Sequence, residues 1–144
     1  MTAASRTGWW VAGLLAALWL LAPGCGKSKI IAGTTALETA QELCTALAAG
    51  DFAKAATAFD YDALARAQND NWEEIPSGQR HLIIESVKRD KADELASWTA
   101  KFGGPPAASE GAQTGYVMLT GASKVCTMQL AEVKGKWLIQ QEWW

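Results

Sequence analysis

The sequence predicts an α+β domain in which helices come first and pack on an antiparallel sheet of at least three C-terminal strands. Three observations predict it. Apolar residues recur at helical spacing from Leu37 to Phe102, alternate at strand spacing from about Thr114 to Trp143, and are separated by the breaker Gly103-Gly104-Pro105-Pro106. The 144 residues suffice for one domain, and 49% hydrophobic with 19% charged residues excludes a disordered chain.

The first helix opens at a capping box, Thr35-x-x-Glu38, in which each side chain satisfies a free amide of the other. Its stripe is Leu37, Ala40, Leu43, Cys44 and Leu47, and Gly50 stops it. Asp51 caps a second helix that places Phe52, Ala55, Ala56 and Phe59 on one side, and Asp60 caps a third short turn through Leu64 and Ala65. Gln68 to Pro76 is polar except for Trp72 and Ile75 and reads as a loop whose tryptophan plugs the core rim. A long helix then runs from about Gln79 to Phe102 on Ile83, Val87, Leu95, Trp98 and Phe102; Lys91 and Glu94 blur its middle. Asp90, Asp93 and Glu94 alternate with Lys88, Arg89 and Lys91, the pattern of a solvated face. Three strands follow, Thr114 to Thr120, Lys124 to Val133 and Lys136 to Trp143, joined by short turns at Gly121-Ala122 and Lys134-Gly135. The stretch from 102 to 111 has room for a further edge strand.

Ahead of the domain, Trp9 to Ala22 forms an uncharged run of 14 residues preceded by a single basic residue, Arg6. At about 1.5 Å per residue it spans roughly 21 Å of helix, short of the ~30 Å bilayer core. Residues 1–24 are therefore expected to be a secretory signal peptide. The run Leu21-Ala22-Pro23-Gly24-Cys25 resembles a bacterial lipobox, although Ala22 stands where leucine is usual and Pro23 is uncommon there. That resemblance implies acylation of Cys25, a polar tether over residues 25–33, and a domain over residues 34–144 anchored at a membrane by its N-terminal lipid. By resemblance to the enterobacterial sorting pattern only, Gly26 after the cysteine implies the outer rather than the inner membrane; a soluble exported protein is the alternative. Gly26-Lys27-Ser28 mimics the end of a phosphate-binding loop, but Leu21 stands where that loop needs glycine.

A net charge of −2 gives no electrostatic drive toward nucleic acid. One histidine and three cysteines are too few for a clustered metal site, and no cofactor motif is present, so neither metal nor cofactor is expected. With Cys25 lipidated, Cys44 and Cys126 remain. Export favours a bridge, and both point at the core, Cys44 with Leu47 and Cys126 with Met128. A disulfide is expected; two buried free thiols are the alternative.

The segment ALAAGDFAKAATAFD (Ala46 to Asp60) and the ending VKGKWLIQQEWW (Val133 to Trp144) resemble the nuclear-transport-factor-two-like superfamily, and within it small bacterial lipoproteins with a domain of unknown function. The resemblance covers roughly Thr34 to Trp144. It implies a curved sheet wrapped around a long helix, leaving a conical cavity, and a sheet with more strands than the three read above. Enzymes of that fold, isomerases, dehydratases and cyclases, use a cavity carboxylate with hydrogen-bond donors.

Here the catalytic candidates are thin. His81 lies in the first turn of the long helix, Asp60 and Asp62 serve as a cap and a surface charge, and no nucleophile has a histidine and an orienting group in a recognisable motif. No catalytic residue is assigned. The tryptophans are more telling: Phe59, Trp98, Tyr116, Met118 and Trp137 are candidates to line an apolar pocket. Strand alternation puts Trp143 and Trp144 on opposite faces, with Trp144 expected to be the exposed contact. The sequence thus points to a non-catalytic domain that holds a small apolar ligand or docks an envelope protein. A cavity-based enzyme using a buried carboxylate, and a structural spacer in an envelope assembly, are the alternatives.

Overall fold

The computed structural model describes residues 29–144. The signal segment and Cys25 lie outside the described residues. The order is α1 (Ala36–Ala49), α2 (Phe52–Ala55), a 3-10 turn (Ala56–Ala58), α3 (Tyr61–Ala67), a second 3-10 turn (Trp72–Glu74), α4 (Ser77–Phe102), then β1 (Ala107–Glu110), β2 (Tyr116–Thr120), β3 (Val125–Val133) and β4 (Lys136–Trp143). The fold is α+β: helices precede an open, four-stranded antiparallel sheet of order β1-β2-β3-β4. The extra edge strand is β1, at the position where the sequence left room for it.

Local chemistry sets the boundaries. Thr35 caps α1, its side chain accepting from the Glu38 amide at 3.1 Å, while the Glu38 carboxylate reaches back one residue further, to the Thr34 amide at 2.8 Å. Asp51 and Asp60 cap α2 and α3 through the amides of Lys54 and Ala63, each at 3.1 Å. The second helix is shorter than its apolar spacing suggests. Phe59 is extended and forms a parallel bridge with Ile139, and the Asp60 amide donates to the Ile139 carbonyl at 2.8 Å. Pairing with the sheet wins over another helical turn. Lys134 and Gly135, at φ 52° and 79°, make the two-residue turn between β3 and β4 that matches strand twist.

The residues just before α1 belong to the folded unit rather than to a free tether. Ile31 is 0% exposed, its amide donates to Thr57 Oγ1 at 2.8 Å, and the Gly33 carbonyl accepts from the Trp137 amide. A Cβ on Gly33 would stand 2.4 Å from the Thr39 nitrogen, so only glycine fits there. The core lies between the helices and the inner sheet face, where Leu43, Leu95, Trp98, Phe102, Leu119, Met128 and Ile139 are all 0% exposed. Trp72 plugs the rim as expected, buried beneath the Arg80 guanidinium.

Three further sequence expectations need correction. Cys44 and Cys126 are both buried, but they are free thiols and form no bridge. Cys44 rides on α1, which packs chiefly over β1 and β2, whereas the charges acting on Cys126 are Glu142, Lys101 and Lys91 of β4 and α4. The two lie on different elements, α1 and β3, and neither sulfur is bonded to the other. Lys91 is not on a solvated face: it is buried in the α4 stripe between Val87 and Leu95. Finally, Met118 points away from the core, because β2 buries Val117 and Leu119.

Candidate functional site

The five proposed pocket residues are not brought together. Phe59 and Trp98, 3% and 0% exposed, are core filling, their rings packed edge to face at 6.0 Å. Met118 is exposed on the outer sheet face. Tyr116 and Trp137 both border one concave site, a groove of about 450 Å³ between the N-terminal end of α1 and the loop joining β1 to β2, although the Tyr116 ring itself stacks on Trp143. Leu37 and Val117 add apolar wall, and Thr34, Thr35, Gln113 and Thr114 add hydroxyls and an amide. Glu110 is the one ionisable carboxylate among the groove's lining residues. The groove is larger than a depression of about 280 Å³ that Lys91, Gln140 and Glu142 border on the β4 side.

Inside the fold lies a charge cluster that the sequence reading missed. Lys91 Nζ bonds Glu94 Oε2 and Glu142 Oε1, each at 2.7 Å, and lies 5.3 Å from the centre of the Phe59 ring and 5.7 Å from that of Trp98. Glu94 Oε1 accepts from the Trp98 indole at 3.2 Å. Glu142 Oε2 is buried with no hydrogen-bond partner of normal geometry. Burial pushes the Glu142 carboxyl above its usual range, with Lys91 and the nearby Trp144 side chain opposing the rise. Burial also acts on Glu94, but the hydrogen bond and charge of Lys91 outweigh it and hold that carboxyl low. For Lys91 the two carboxylates outweigh burial and raise its affinity for the proton. Tyr61, whose hydroxyl donates to the Ala56 carbonyl, is driven well above its usual range, first by burial and then by the Glu142 charge.

A signal for Lys91 existed: it stands four residues from both Val87 and Leu95, squarely on the buried edge. None existed for Glu142, which faces inward because β4 slips register. Gln129 pairs with Gln141 but Leu130 pairs with Ile139, so Gln140 is extra, and Met128 faces Glu142. The same slip turns Trp143 outward, where it stacks on Tyr116 at 6.2 Å and 15°, and turns Trp144 inward. Trp144 is 40% exposed, as expected of it, yet it packs on Trp98 and Phe102 at 5.0 and 4.9 Å with Lys101 3.5 Å over its ring. Trp143, 45% exposed, is the ring of the outer face.

Chemically, the cluster holds itself together. Each carboxylate gives one oxygen to Lys91, and the Phe59 and Trp98 rings beside the lysine are packed against each other. Asp60 and Asp62 act as a cap and as the exposed partner of Arg66, and His81 is exposed on α4. Among the described residues no group of three or more His, Cys, Asp or Glu could hold a metal ion, and no helix is long and apolar enough to cross a membrane. Comparisons of the chain with family models, with curated proteins and with solved structures give no match.

Proposed function

We propose that this chain is a non-catalytic binding domain of an exported, lipid-anchored envelope protein, and that the groove lined by Trp137 and Leu37 holds its ligand. The observation that carries the reading is the composition of that groove. It joins a half-buried indole, Leu37 and Val117 to hydroxyl and amide groups, and its lining holds no acid–base pair. Such a surface suits a ligand with an apolar face and a few hydrogen-bonding groups. Export and anchoring rest on the apolar leader and the lipobox-like run ending in Cys25; the likeness to nuclear-transport-factor-two-like lipoproteins rests on the two segments quoted above.

The enzyme reading has one feature in its favour, the desolvated Glu142. That carboxylate is already bound by Lys91, whose ammonium lies over the Phe59 and Trp98 rings, and the depression it borders is smaller than the Trp137 groove. Protein docking is a second reading, favoured by the Tyr116–Trp143 stack with Met118 and Val125 on the outer sheet face. Nile red, a neutral apolar dye, tests the groove. Its fluorescence is expected to rise with the native chain and to fall several-fold with Trp137→Ala, but not with Trp143→Ala. Loss with Trp143→Ala alone would move the site to the outer face. The mass of the chain from its own cells tests the address: acylated Cys25 as first residue is expected, and an unmodified chain starting at Met1 would overturn it.

A further inference from the structure

The two faces of the sheet are sorted by charge. Pairing sets Glu110 opposite Val117, Glu132 opposite Trp137 and Glu142 opposite Met128, so every carboxylate of the four strands turns to the face that the helices cover. The outer face carries none. Its one charged strand residue is Lys136, opposite Val133, and the β2–β3 and β3–β4 turns at its two ends add the exposed Lys124 and Lys134 and no acid. No residue of this face is buried. Trp143 is 45%, Val125 46% and Met118 37% exposed, and the Trp143 ring stacks on Tyr116. The helical side differs: α4 alone exposes Glu85, Asp90 and Asp93.

The start of the folded unit supplies an independent constraint. Ile31 is buried, its amide bonded to Thr57, and the Gly33 carbonyl is bonded by the amide of Trp137 in β4. Ile31 follows Cys25 by six residues, with Lys27 and Lys29 between them. Even fully extended, such a segment reaches only about 20 Å. With acyl chains on Cys25, a tether this short holds the domain against the bilayer rather than clear of it. Turning the helical side to lipid would desolvate its carboxylates. The outer sheet face instead offers an indole, a phenol ring and aliphatic side chains bordered by ammonium groups. Tryptophan and tyrosine suit the headgroup boundary, and lysines favour an anionic surface.

We propose that the outer face of the sheet rests on an anionic bilayer surface, with Trp143 and Tyr116 at headgroup level, as a second attachment beside the Cys25 lipid. This rests on the anchoring proposed above. The Trp137 groove, on the helix side of the sheet, stays open to water.

Quenching by brominated phosphatidylcholine tests this, with the full chain purified from its own cells and reconstituted in vesicles of phosphatidylcholine and phosphatidylglycerol. Five tryptophans follow Cys25. With Trp143 alone at the lipid boundary, fluorescence is expected to fall by about a fifth relative to unbrominated vesicles. Trp143→Phe should abolish that fall. Met118→Glu/Val125→Glu, which sets two carboxylates on the face, should abolish it too, while the chain still floats with the vesicles and keeps its near-ultraviolet circular dichroism. The mass of the same preparation separates the two claims. A chain with no acyl group on Cys25 would overturn the anchoring and this proposal with it. An acylated chain that bromine leaves unquenched, or quenches equally in Trp143→Phe or in the double variant, would overturn this proposal alone.

Discussion

Replacing Lys91 by methionine keeps an unbranched stem against Phe59 and Trp98 while removing the single ammonium that two carboxylates share. The Glu142 side chain is 13% exposed, and its Oε2 has no partner already, so the substitution leaves both its oxygens unbonded by Lys91. Breaking a buried pair from one side costs about 3–5 kcal/mol. Glu142 can escape part of that by taking a proton. Holding a carboxyl of ordinary value 4.5 neutral at pH 7 costs about 3.4 kcal/mol, at about 1.36 kcal/mol per pH unit. At pH 5 the same route costs only about 0.7 kcal/mol. Glu94, 39% exposed, can turn toward water and adds little. Lys91→Met should therefore lose about 3 kcal/mol at pH 7 and about 1 kcal/mol at pH 5, read by urea unfolding. The double variant Lys91→Met/Glu142→Leu, with no charge left beside the core, should return to within about 1 kcal/mol of the parent. A loss under about 1 kcal/mol at pH 7, or an equal loss at both pH values, would mean that Lys91 is not neutralising a buried Glu142.

The two carboxylates should show opposite pH behaviour. Glu142, held high by burial, contributes stability below its ordinary value of 4.5 that is lost as pH rises through its folded value, so Glu142→Gln should be at least as stable as the parent at pH 7 and lose that advantage in acid. Glu94, held low, contributes stability that is lost as pH falls, so Glu94→Gln should weaken the protein at pH 7 but not at pH 3, measured by the same unfolding titration. Burial pushes the Cys44 and Cys126 thiols up to about 11 and about 12; a disulfide-exchange reagent should label them slowly in the native protein and both promptly after denaturation without reductant, whereas finding neither would restore the bridge. Gly33→Ala should cost about 1–3 kcal/mol in thermal unfolding, because its Cβ meets the Thr39 backbone; an unchanged melting temperature would mean the Ile31–Gly33 segment is not docked.

What the sequence made legible follows from the range of the forces involved. The caps at Thr35, Asp51 and Asp60, the stop at Gly50 and the turn at Lys134-Gly135 are local chemistry, and each stands where its residues put it. The strands β2 to β4 were readable from alternation, and their order from short turns. Misreadings arose where distant partners decide. Phe59 left its helix to pair with Ile139. The phase of β2 was misread because Tyr116 and Met118 alternate as regularly as Val117 and Leu119, and the inner face is chosen by α1 and α4. The slip at Gln140 cannot be seen in KWLIQQEWW, yet it exchanges the faces of Trp143 and Trp144 and carries Glu142 inward to Lys91. In the groove, Tyr116 and Trp137 were found as aromatics in search of a cavity; Leu37, Thr35 and Gln113 were not, because only the tertiary fold sets α1 beside the β1–β2 loop.

On the proposed function, the Trp137 groove holds a molecule without transforming it. Native mass spectrometry of the gently purified full chain tests that directly. A discrete non-covalent adduct is expected on the parent chain and absent from Trp137→Ala, and it should be recovered chemically unchanged after release and rebinding. Bare chain masses alone, or an adduct that Trp137→Ala retains, would contradict it.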